Sequence, residues 1–142
     1  MLPLQPELDR PYHGSPIYLE NQKEPRSKTL FIGLVDVLVS TFLEEETAAI
    51  PHEFLERADF SVRVPADDIE IRVLVYKRPR LDHFLREASK HYEICVWTSA
   101  CKAFGNAILD AIDPEGIYVS KRLFRDHCTF DDGAALKDVR RV

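Results

Sequence analysis

The side chains that could do chemistry in this 142-residue chain are few, and most stand alone. Asp36 is the one carboxylate inside the apolar run LFIGLVDVLV, and the end of a buried strand is where an open α/β sheet places its ligands. A single carboxylate cannot both attack a substrate and hand a proton to the leaving group, so Asp36 reads as a local hydrogen bond or turn contact. Thr98, in VWTSA, and Lys137, in ALKDV, are a threonine at a strand end and a lysine on a terminal turn, both commonplace. Cys95, Cys101 and Cys128 are too few and too irregularly spaced for a disulfide framework or a zinc site. Two of them read as small apolar packing residues. His127 beside Cys128 is one ligating pair without a second, so no metal and no cofactor is expected.

Charge narrows the partners. The formal net charge of -5 argues against a phosphate-backbone binder, which draws its affinity from clustered Lys and Arg. Basic residues do gather at Lys77, Arg78 and Arg80, at Lys121, Arg122 and Arg125, and at Lys137, Arg140 and Arg141. These read as solvated faces, with an acidic-ligand site as the alternative. No stretch approaches the roughly 20 apolar residues a membrane helix needs, so the chain is not expected to span a bilayer itself. The opening MLPLQPELDRPYHG shows neither a signal-peptide pattern nor an Arg-rich amphipathic helix, so no cleavable address is expected.

The positioning elements follow from hydrophobic periodicity. Residues 1–27 hold five of the nine prolines and no sustained period, which predicts an extended arm that orders only against a neighbouring surface. From Lys28 the apolar run predicts one strand covered on both faces. A helical turn is expected around His52 to Arg57. FSVRV and IEIRVLVY, separated by Pro65, Ala66, Asp67 and Asp68, predict a β-hairpin inserted over about residues 58–76. Pro79 opens a helix with the stripe Leu81, Phe84, Leu85 and Ala88, and YEICVW is the next buried strand. Lys102 to Ile112 repeats the helical spacing with Phe104, Ala107, Ile108 and Ala111, is ended by Asp113, Pro114 and Gly116, and leads to the strand IYVSKRLF. Strand, helix, strand, helix, strand is a parallel α/β unit over residues 28–142.

KTLFIGLVDVLVS resembles the first motif of the haloacid-dehalogenase superfamily, in the branch of the carboxy-terminal-domain phosphatases. The fold class implied is a truncated Rossmann-like, haloacid-dehalogenase-type parallel sheet with an inserted hairpin and an N-terminal arm. The alignment places Gly33 at the family's nucleophilic aspartate and Val35 at its acid/base aspartate, while Thr98 and Lys137 match its phosphate-contacting hydroxyl and charge-stabilising lysine. Aspartyl-phosphate chemistry needs an attacking carboxylate, a second to protonate the leaving oxygen and a metal ion between them. Glycine and valine supply none of these. The resemblance therefore implies a pseudo-phosphatase without catalytic residues, in which Thr98 and Lys137 are relics. The family's fourth motif would follow the lysine by about 15 to 20 residues, so the domain is expected to stop short of it and to leave one edge of Leu30 to Val35 open.

Within that branch, YEICVWTSA, KRPRLDHFL and the run LDAIDPEGIYVSKRLFRDHCTFDDGAALKDV are most similar to the presequence-receptor subunit of the mitochondrial inner-membrane translocase. That likeness implies a mitochondrial setting at the inner membrane, on the intermembrane-space side, although the membrane anchor of that family is not expected here. The resulting expectation is a structural, protein-binding subunit of a larger assembly whose partners are other proteins. Candidate contacts are Leu30, Phe31 and Ile32 on the open edge and Val62, Val64, Ile71 and Val73 on the hairpin. A receptor for targeting peptides is the alternative, and residual phosphatase activity a remote one.

Overall fold

Apolar runs and alternating segments build two three-stranded sheets and one two-stranded sheet in the computed structural model, which describes Ile17, residues 28–45 and residues 50–142. In chain order the elements are β1 (Thr29–Ile32), β2 (Val39–Leu43), α1 (His52–Leu55), β3 (Phe60–Ala66), β4 (Ile69–Lys77), α2 (Leu81–His91), β5 (Glu93–Trp97), α3 (Lys102–Ile112), β6 (Val119–Leu123), β7 (Thr129–Asp131) and β8 (Ala134–Leu136). Strands β1, β5 and β6 form the parallel sheet in that order, so the second and third strands both lie on one side of the first. The α/β class is as the sequence predicts.

The apolar run from Lys28 is not one strand. β1 stops at Ile32, and residues 33–38 make a tight loop in which the amides of Leu38 and Val39 both donate to the Leu34 carbonyl. Asp36 occupies a left-handed conformation at its apex, φ 63°, which a short polar side chain tolerates better than the flanking valines would. The chain then returns as β2, antiparallel to β4, with β3 on the far side in the order β2-β4-β3. β1 is half-buried along its length rather than covered on both faces, because among the described residues it pairs only with β5.

The hairpin is tighter than its sequence suggests. β3 runs through Ala66, and the turn is Asp67-Asp68 alone, with Asp67 at φ 51°. Pro65 stays in the strand because β3 is an edge, where a missing N–H costs no ladder bond.

One core cluster lies between the sheets and helices and includes Leu34, Val39, Val73, Leu85, Ile94, Val96 and Ile108. A second, on the opposite face of the parallel sheet, joins Cys95, Trp97, Leu123 and Cys128, with Phe31 and Ile17 packed against it. The Ile17 amide donates to the Arg141 carbonyl at 2.7 Å. The remainder of the predicted arm over residues 1–27 lies outside the described residues. Among those described, no helix is long and apolar enough to cross a membrane.

Candidate functional site

The C-terminal ends of β1 and β5 open toward the N-terminus of α3, the position where parallel α/β sheets bind ligands. There Val35, Thr98 and Lys137 line one open cleft of about 320 Å³, together with Thr41, Ser99 and Phe104. Gly33 belongs to the same place, since a Cβ built on it would stand 3.8 Å from Lys137 Nζ and 3.0 Å from Val37 Cγ2. The four positions that sequence comparison singles out are therefore brought together.

Thr98 is buried, and its hydroxyl accepts a hydrogen bond from the Ala100 amide at 3.1 Å while its own amide donates to the Leu123 carbonyl. The hydroxyl thus shapes the turn into α3. Lys137 is exposed and, among the described residues, is the only charged one lining the cleft. Its neighbour Asp138 is committed elsewhere. The Arg140 side chain donates to it at 2.8 and 2.6 Å and holds its carboxyl below the usual carboxylate range. Asp36 lines a separate depression with Tyr76, Lys77 and Arg78.

A magnesium ion of the kind aspartyl-phosphate chemistry uses wants hard oxygen donors, commonly one or two carboxylates. Among the described residues the cleft offers the hydroxyls of Thr41, Thr98 and Ser99 beside the Lys137 ammonium and no carboxylate, a lining that does not fit such an ion. Among the described residues no group of three or more His, Cys, Asp or Glu could hold a metal ion. His127 Nδ1 instead accepts the Phe124 amide at 3.0 Å.

Two structural roles, those of Gly105 and Asp113, escaped the sequence reading. Gly105 lies in α3 where a Cβ would stand 2.7 Å from Phe124 Cε1 and 3.3 Å from Thr98 Cγ2, so its lack of a side chain brings the helix against the cleft wall. The buried stripe of α3 is accordingly Gly105, Ile108, Leu109 and Ile112; Ala111 is exposed, while Phe104 and Ala107 pack at the margin. Asp113, expected only as a helix terminator, is fully buried and accepts from the amides of Ile117, Tyr118 and Val119 at 3.1, 3.1 and 2.8 Å. Its Asp-Pro-x-Gly context carried a hint of that turn. On α2, Leu81 and Leu85 are buried as predicted, but Phe84 is exposed.

The hairpin contacts need correction. Val64 and Val73 are buried in the domain's own core, and Val62 and Ile71 pack against it, because this face of the small sheet covers the helical layer, chiefly α3. Val64 and Val73 are therefore not free for a partner, while Val62 and Ile71 are half-buried. On β1, Phe31 packs against Trp97 with ring centroids 6.2 Å apart, whereas Leu30 and Ile32 remain half-buried beside the strand edge.

Residues 28–142 match the family described as NLI interacting factor-like phosphatase. The chain belongs to this phosphatase-like family. It is 30% identical over 131 residues to the CTD nuclear envelope phosphatase 1 homolog of Drosophila melanogaster, covering 90% of this chain and 52% of that protein. It is 37% identical over 84 residues to the CTD nuclear envelope phosphatase 1B of Danio rerio, covering 59% of this chain and 34% of the relative. The solved structure of the fission yeast RNA polymerase II CTD phosphatase Fcp1 bound to beryllium fluoride shares the fold, with a TM-score of 0.65 at 22% identity over 81% of this chain and 33% of that one. The chain thus spans about half or less of these proteins.

Proposed function

We propose that this chain is a non-catalytic member of its family that works as a structural, protein-binding subunit of a larger assembly. One observation carries the reading: Gly33 and Val35 stand where the fold gathers Thr98 and Lys137, and no carboxylate lines that cleft. Without a nucleophile the aspartyl-phosphate route has no first step. The half-buried edge of β1, with Leu30 and Ile32 beside it, supports a role in which another polypeptide completes the sheet.

The proposed setting is mitochondrial, at the inner membrane on its intermembrane-space side, and it rests on the likeness of residues 113–138 to the translocase presequence receptor. The nuclear envelope, after which these relatives are named, is the competing setting. Receipt of basic targeting peptides is the second reading, favoured by that same likeness and by the net charge of -5. The experiment is a mild-detergent pull-down of the tagged chain from separated mitochondrial and nuclear-envelope fractions, read by native gel and mass spectrometry. A single large mitochondrial complex of fixed stoichiometry is expected. A freely monomeric chain in both fractions would reject the subunit role, and a nuclear-envelope complex would reject the setting.

A further inference from the structure

Apart from the cleft at Lys137, a groove of about 610 Å³ lies between α2 and the loop that follows β1. Its floor is apolar, formed by Ile32, Leu38, Leu81 and Ala88, and Val37, Phe84 and Tyr92 rise from it although they are 38%, 41% and 37% exposed. Along α2 and just beyond it, positions 84, 88 and 92 read large, small, large at four-residue spacing. That is a ridge with a notch, the shape into which the side chains of a second helix interdigitate.

The rim is basic. Arg78, Arg80, His83 and His91 surround the groove, and among the described residues no side-chain ion pair is made by Arg78 or Arg80. One acid, Glu87, also lines the groove, but it is paired with Lys90 at 2.8 Å, and the neighbouring Asp82 is paired with Lys77 at 2.5 Å. The Lys90 ammonium holds the Glu87 carboxyl below its ordinary range. An apolar floor within a positively charged rim inside a chain of net charge -5 is a local reversal of sign, which selects an occupant of opposite charge.

We infer that this groove docks an amphipathic helix of a partner protein, one whose apolar stripe is flanked by Asp and Glu. This deepens the protein-binding reading and rests on it. The partner's apolar side chains would enter beside Ala88, between Phe84 and Tyr92, while its carboxylates meet Arg78, Arg80 and His83.

The test titrates the full chain with three fluorescent peptides of about four helical turns. All share one leucine stripe, and the flanking residues are Glu, Gln or Lys. The Glu peptide should bind in the micromolar range, weaken as salt rises, and exceed the Lys peptide by at least about tenfold. Phe84→Glu should abolish binding. Arg78→Glu combined with His83→Glu should transfer the preference to the Lys peptide, a gain that a misfolded protein cannot show. Equal binding of the three peptides overturns the inference, and preference of the native chain for the Lys peptide overturns it in favour of the targeting-peptide reading. So does a native dimer that Phe84→Glu dissociates, since a second copy would then be the occupant. Recovery of a stoichiometric complex together with failure of the peptide series would remove this inference alone, whereas peptide binding by a chain that forms no complex would remove the subunit reading.

Discussion

Lys137 Nζ stands 3.8 Å from the point that a Cβ on Gly33 would occupy, so the fold still aims an ammonium at the place where a nucleophile would attack. Nothing at position 33 answers that charge. Magnesium-dependent hydrolysis of an aryl phosphate should therefore be the same for the native chain and for Lys137→Ala. Turnover that the native chain shows and Lys137→Ala lacks would overturn the non-catalytic reading. Gly33→Asp should fold, with Val37 giving by a few tenths of an ångström, and should stay inactive because Val35 leaves no acid to protonate the leaving group.

Gly105→Ala tests how closely α3 approaches the cleft. The added methyl meets the buried ring of Phe124 at 2.7 Å, which cannot swing aside as a flexible side-chain end could. A cost of about 1–3 kcal/mol is expected from such overpacking. Phe124→Leu in the Gly105→Ala background should recover part of the loss. If Gly105→Ala melts at the native temperature, the contact is looser than the geometry implies.

Asp113 organises the return from α3 to β6 by accepting three amides with one buried carboxylate. Asp113→Ala leaves those donors without an acceptor at a site closed to solvent, and a loss on the order of 3 kcal/mol is expected in denaturant unfolding. Asp113→Asn keeps one carbonyl oxygen and should fall between the two. An alanine variant as stable as the parent would mean that water replaces the carboxylate.

What could be read from the sequence follows from range. The helices and the strands β5 and β6 were visible because their periodicity is local, over Leu81 to Ala88 or Glu93 to Trp97. The break at Gly33–Leu38 was not, because a loop made of Leu, Val and Asp has the composition of a strand, and only pairing of Val39–Leu43 with β4 reveals the reversal. Alternation of Ser40 and Phe42 with Val39, Thr41 and Leu43 was the available signal. The site positions were located only through family likeness. The basic cluster at Lys77, Arg78 and Arg80 was visible, with an acidic-ligand site as the alternative to a solvated face, but not that Lys77 is committed to Asp82, five residues on, while among the described residues Arg78 and Arg80 make no ion pair.

Cys95 gives the last prediction, and its sign can be worked out. Burial in the middle of β5, and secondarily the Glu93 carboxylate, push its thiol from an ordinary 9.0 up to about 12. The protonated form is thus favoured in the fold. As pH rises above 9.0 the unfolded chain releases this proton first, so stability is lost progressively between 9.0 and about 12 and is undiminished below that window. Cys95→Ala should show a shallower decline of unfolding free energy across the same range, after comparison with the native chain at pH 7 to remove the packing cost. In parallel, an aromatic disulfide reagent at neutral pH should modify one thiol of the native protein, the exposed Cys101, and all three after unfolding. Identical pH slopes for the two proteins, or rapid modification of three native thiols, would show that the β5 interior is open to solvent.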